Sequence, residues 1–196
     1  MPKLVFPKRH KHTDVRSREY LTAAEVDRLR KAARGIGRHG LRNATMILLA
    51  YRHGLRVSEL IALRWDQLDL DQGFFHVQRL KRGMPSTHPL TAGEIRALRR
   101  LKSAVPDLAY VFVSERKGPL TDSSVRKMMA QAGEIAALGF PVHPHQLRHG
   151  CGFKLANDQQ DTRAIQLFLG HRNIQHTVQY TELAAGRFQD FWRDED

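Results

Sequence analysis

The stretch NATMILLAYRHG, residues 43–54, is apolar nearly all the way round a helical wheel and stops at Gly54. A helix with no polar face is a buried helix, so this segment predicts a central helix with other elements packed about it, closed by a glycine cap. With 196 residues the chain is long enough to bury such a core without disulfides or a structural metal, and one main domain is expected.

The segments around it read mostly as helices. In YLTAAEVDRLRKAA, Thr22 and Glu25 form a capping box, and Val26, Leu29 and Ala33 share one face. LRVSELIALRWDQLD predicts a restarted helix with Ser58 as its cap and Leu60, Ile61 and Leu63 facing inward. The period then changes. GFFHVQRL alternates like a strand, and PSTHPL returns beside it through KRGM, so a small antiparallel element carries Lys81 and Arg82 at its bend. YVFVS is a third strand candidate. AGEIRALRRLKSA, DSSVRKMMAQAGEIAAL, PHQLRHGCGFKLAN, TRAIQLFLG and a tail segment around GRFQDFW complete a mainly α fold with a small antiparallel β-sheet.

Charge narrows the partner. Lys+Arg 32 against Asp+Glu 20 give a formal net charge of +12, which makes nucleic acid the first partner to consider. Residues 1–19 hold Lys3, Lys8, Arg9, Lys11, Arg16 and Arg18 without an apolar period and read as a flexible basic arm ahead of a domain at 20–196. The one cysteine, Cys151, excludes an internal disulfide and every multi-cysteine zinc pattern. No run approaches the roughly 18 apolar residues of a membrane span, so the expectation is a cytoplasmic, nucleoid-associated protein with no membrane partner.

HPHQLRHGCG, residues 143–152, concentrates His143, His145, His149 and Arg148. Zinc has some geometric sense, because His145 and His149 lie four apart, but no HExxH glutamate accompanies them and Arg148 would oppose a cation. Phosphate explains more. Pro144 suits a first helical turn, which places His145 and Arg148 on one face near an N-terminus that favours anions. Arg148 can grip two phosphate oxygens, and His145 can donate a hydrogen bond or move a proton near neutral pH. A helix-turn-helix regulator remains an alternative, since TRAIQLFLGHRNIQHTVQY alternates helix, glycine turn and helix.

Taken together, AYRHGLRVSELIALRW, HPHQLRHGCG and LGHRNIQHTVQYT resemble the tyrosine recombinase (integrase) family, particularly its short fimbrial phase-switch members, over about residues 20–192. The resemblance implies the tyrosine recombinase catalytic-domain fold and a catalytic set of Arg56, Lys81, His145, Arg148, His171 and Tyr180, supported by Glu59, with no metal and no cofactor. It implies that Tyr180 attacks phosphorus to leave a 3′-phosphotyrosyl link and a free 5′-hydroxyl, that Arg56 and Arg148 clamp the phosphate, and that His171 adds a further donor. On the same resemblance Lys81 protonates the leaving oxygen, with Arg82 and Arg79 as competitors for that role. His145 is the expected base for Tyr180, and Arg79, Arg82 and Arg172 are expected DNA contacts.

Double-stranded DNA, a homo-oligomer that becomes a tetramer in synapsis, and host DNA-bending proteins are the implied partners. The expected domain order lacks the N-terminal core-binding domain that most members carry. A tail helix with Phe188, Phe191 and Trp192 on one face is expected to follow the nucleophile. The rival readings are a non-catalytic DNA-binding regulator on the same fold and a zinc-dependent hydrolase.

Overall fold

A computed structural model describes residues 19–80, 83–104, 108–182 and 184. The expected basic arm, Lys81, Arg82 and the expected tail helix lie outside the described residues.

Helix α1 (Ala23–Arg34) opens with the capping box foreseen from Thr22 and Glu25: the Thr22 amide donates to Glu25 Oε2 at 2.8 Å, and the Glu25 amide donates to Thr22 Oγ1. Its Val26, Leu29 and Ala33 are buried. Helix α2 (Gly40–Arg52) is the central element, with Met46, Ile47, Leu49 and Ala50 all buried, and it ends at His53 before Gly54 turns the chain at φ 56°. Helix α3 (Val57–Ile61) follows. Its N-cap is Arg56 rather than the expected Ser58, because the Glu59 carboxylate reaches back to the Arg56 amide at 2.9 Å. It is also shorter than expected: the chain leaves the helix at Ala62 and makes only a 3₁₀ turn at Trp65–Gln67.

The sheet is a three-stranded antiparallel meander of β1 (Leu68–Asp69), β2 (Phe74–Val77) and β3 (Ser86–Pro89). Strands β2 and β3 pair in the expected hairpin, with Phe75 opposite His88 and Val77 opposite Ser86. The third strand is Leu68–Asp69 and not YVFVS. Tyr110 and Val113 make only isolated bridges, to Arg64 and Pro119, because that segment is tied to the Arg64 and Pro119 loops and not to the hairpin.

Helices α4 (Ala92–Ala104), α5 (Asp122–Ile135), α6 (Pro144–Asn157), α7 (Thr162–Leu169) and α8 (Gln175–Glu182) complete the domain. Helices α1, α4 and α6 pack around α2, as an all-apolar helix requires. A second cluster of Cys151, Ile165, Leu169 and Tyr180 joins α6, α7 and α8. Helix α7 ends at Gly170 in the left-handed conformation, φ 67°, where a side chain would also meet the Arg79 side chain at 2.7 Å.

Candidate active site

Every helix leaves its last carbonyl oxygens without an intrahelical donor, and its C-terminus carries partial negative charge. Two such ends converge here. At the end of α2, His53 and Gly54 present their carbonyls; at the end of α7, Phe168 and Leu169 present theirs. Two buried arginines take them. Arg148 donates to the Gly54 and Leu169 carbonyls, the latter at 2.7 Å. Arg79 donates to the His53 carbonyl at 3.1 Å and also to the Phe168 and Gly54 carbonyls. The helix ends therefore fix two guanidiniums without neutralising them.

Among the described residues, one carboxylate accompanies them. Glu59 Oε2 accepts from Arg79 at 3.0 Å, and Oε1 accepts from Arg56 at 2.8 Å. Burial pushes the Glu59 carboxyl up, but the Arg56 amide, Arg79 and the Arg56 guanidinium together hold it below the ordinary value. Among the described residues the three guanidiniums thus meet one carboxylate, paired with Arg56 and Arg79 while Arg148 is held by carbonyls, and the site carries unbalanced positive charge. Its neighbours register that field. Burial first, then Arg56 and Arg79, bring the Arg148 guanidinium down to about 10. His171, buried and hydrogen-bonded through Nδ1 to Thr177 Oγ1 at 2.9 Å, is lowered to about 3 by desolvation, then by Arg148 and Arg56. Part of the His145 residue reaches solvent, yet desolvation, then His149 and Arg148, bring it down to about 4. Both rings are neutral at pH 7.

Tyr180 projects from α8 into this cluster and is only 2% exposed. Burial raises its phenol to about 12, against the pull of Arg148. Its hydroxyl lies 2.9 Å from His149 Nδ1, and the Tyr180 ring meets Phe153 edge-on and His171 face-on. Gly152 makes room for it: a Cβ there would sit 2.7 Å from the tyrosine ring.

The structure therefore brings together Arg56, Glu59, Arg148, His171 and Tyr180 from segments that are distant in sequence. His145 is adjacent, its ring 4.3 Å from that of His149, but the group touching the tyrosine hydroxyl is His149. The sequence contains the signal, since His149 lies one turn beyond His145 on the same helix, but spacing along a helix does not say which of the two meets a residue 31 positions away. Arg79 is the clear correction. Expected as a DNA contact, it has a fully buried side chain committed to Glu59 and to helix-end carbonyls, so it holds the cradle from beneath. Arg172 is exposed. Among the described residues no group of three His, Cys, Asp or Glu is placed to hold a metal ion, and no helix is long and apolar enough to cross a membrane.

A helical core around α2, a small hairpin sheet and an arginine-rich cradle facing a tyrosine on the last described helix define the catalytic domain of a tyrosine recombinase. The chain belongs to the phage integrase family, whose model matches residues 19–187. It is similar to the type 1 fimbriae regulatory protein FimB of Escherichia coli (strain K12), with 42% identity over 184 residues, covering 91% of this chain and 92% of that protein. The type 1 fimbriae regulatory protein FimE of the same strain is 41% identical over 181 residues, covering 89% and 91%. Among solved structures, the XerA recombinase superposes with a TM-score of 0.75 at 27% identity, over 88% of this chain and 63% of that one.

Proposed function

We propose that this chain cuts and rejoins double-stranded DNA at specific sites, with Tyr180 as the nucleophile. The observation that carries the reading is the Tyr180 hydroxyl hydrogen-bonded to His149 in a site where, among the described residues, Glu59 is the one carboxylate paired with the guanidiniums, through Arg56 and Arg79, while Arg148 is held by carbonyls. A phosphodiester supplies the missing negative charge. Arg56 and the donors of Arg148 not engaged by carbonyls take its non-bridging oxygens, and charge that builds on those oxygens in the transition state is stabilised by groups already in place. His171, fixed by Thr177 at Nδ1, offers Nε2 as a further donor.

In the cleavage step the bond from Tyr180 Oη to phosphorus forms as the bond from phosphorus to the 5′-oxygen breaks. The phenol proton passes to His149 Nδ1, and Lys81 gives a proton to the leaving oxygen. Burial makes the phenol a weak acid, so the adjacent base and the nearby arginines are what activate it. Because Tyr180 is sheltered, α8 has to present the hydroxyl to the bound phosphate. The phosphotyrosyl link keeps the phosphodiester energy, so a 5′-hydroxyl from another duplex can reverse the step without ATP.

The wider reading is a DNA invertase of the phase-switch kind, acting in the cytoplasm at the nucleoid as a tetramer across two sites, with the basic residues 1–19, Arg82 and Arg172 on the phosphate backbone. Host DNA-bending proteins assist that assembly.

The test is trapping on a nicked duplex. Wild-type protein should form a denaturant-stable adduct, and Tyr180→Phe should form none while binding the duplex with unchanged affinity. An adduct retained in Tyr180→Phe removes the assignment, and a wild-type protein that binds but never links to DNA favours the non-catalytic regulator.

A further inference from the structure

Behind the cradle lies a second set of ionisable groups that the cleavage chemistry does not use. Glu94, at the start of α4, is 1% exposed; His53, at the end of α2, and His88, in the middle of β3, are equally hidden. Glu94 Oε1 faces His53 Nε2 at 3.2 Å, an ion-pair contact without hydrogen-bond alignment. The Nδ1 atoms of His53 and His88 lie 3.1 Å apart, so one ring carries the proton there and the other accepts it. His88 Nε2 lies 2.8 Å from Ser86 Oγ, on the first residue of β3. The result is a continuous chain of four polar side chains from a buried carboxylate to the base of the hairpin.

Such a chain is costly to bury, so it is informative that the same residues also hold the cradle. The backbone carbonyl of His53 accepts from Arg79. The ring of His88 stacks on Phe168 with centroids 3.8 Å apart, and the Phe168 carbonyl is another Arg79 acceptor. On the returning arm of the hairpin, Gly83 passes so close to the cradle that a Cβ there would lie 2.6 Å from Arg79 Cβ and 3.0 Å from the Gly170 carbonyl oxygen.

We propose that the chain Glu94–His53–His88–Ser86 is a positioning device that locks the β2–β3 hairpin, which contains Lys81 in its connection, onto the helix ends holding Arg79 and Arg148. The proton donor for the leaving oxygen and the phosphate cradle are thereby kept in register. His88, which is buried, and Ser86, which faces it, are positioning residues, and each acts through strand β3 on which it sits. The inference rests on the cleavage chemistry proposed above, with Lys81 as acid.

The experiment measures adduct formation on two nicked duplexes, one with an ordinary 5′-oxygen at the scissile bond and one with sulfur in its place, which departs without a proton. His88→Asn and Ser86→Ala should bind both duplexes as the wild type does, lose at least ten-fold in rate on the oxygen substrate, and return to near the wild-type rate on the sulfur one. A general loosening of the fold would slow both substrates, so the rescue separates positioning of the acid from structural support. Variants slowed alike on both, or slowed on neither, overturn the inference. If His88→Asn does not fold, Ser86→Ala decides by the same two rates. A wild-type protein that forms no adduct on either duplex overturns the underlying chemistry, whereas wild-type adduct without selective rescue in the variants overturns the positioning role alone.

Discussion

His149 and His145 stand one turn apart on α6, yet the structure gives them different contacts. Only His149 reaches the Tyr180 hydroxyl, at 2.9 Å; His145 packs edge-on against His149 at the more open side. Replacing His149 by alanine should therefore slow adduct formation by roughly 10²–10⁴-fold, the range associated with losing a positioned base, with little change in duplex affinity. His145→Ala should cost less in rate. Single-turnover cleavage of a nicked duplex measures both, and a larger loss for His145 would restore the role first given to it from sequence. At this scale residue type was legible and pairing was not. Arg56, Arg148, His171 and Tyr180 stand in recognisable motifs, but nothing in the alternation of GFFHVQRL indicated that Arg79 turns inward to a carboxylate 20 positions earlier.

Elements were legible where their limits are set locally. The limits of α1, α4 and α6 follow from a capping box, an amphipathic face or a proline in the first turn, all contained within the segment itself. Strand β1 was not legible, because two residues carry no period and pair only once β2 is beside them. The early end of α3 is likewise decided at a distance: beyond Ala62 the chain is held by Trp65 N–H to the Ala109 carbonyl and Val111 N–H to the Leu63 carbonyl. The contact between α1 and α6 offers a test at this scale. Gly150 on α6 lies against the start of α1, where a Cβ would fall 2.5 Å from the Leu21 carbonyl oxygen, a backbone atom that cannot swing aside. Gly150→Ala should destabilise the fold by about 1–3 kcal/mol, the usual range for overpacking, and should lower cleavage by tilting the helix that carries Arg148 and His149. Urea unfolding checks the first effect. A midpoint equal to that of the wild type would show that α1 yields.

For the whole molecule, burying histidines near a cationic cradle links stability to pH. His88 is lowered to about 3 by desolvation, then by His53 and Arg79, and His171 is lowered to about 3 by desolvation, then by Arg148. An unfolded histidine takes its proton near 6.5. Between about 3 and 6.5 the unfolded chain binds more protons than the folded one, so stability falls as the pH drops below about 6.5, each histidine contributing up to about 1.4 kcal/mol per pH unit. Glu94, held down to about 2 by His53 and Thr91 despite its burial, adds to the loss below about 4.5, because its unfolded carboxyl protonates first. Urea midpoints measured from pH 7.5 down to 4 should decline steadily, and a flat profile across pH 6.5–5 would mean that these rings are already charged in the fold.

The burial of Tyr180 has a consequence for how such a protein lives among DNA it must not cut. A phenol packed between Phe153 and His171, with Gly152 at its edge and its proton shared with His149, is not on offer to every phosphate that brushes the surface. On the chemistry proposed above, the nucleophile is sheathed in the fold.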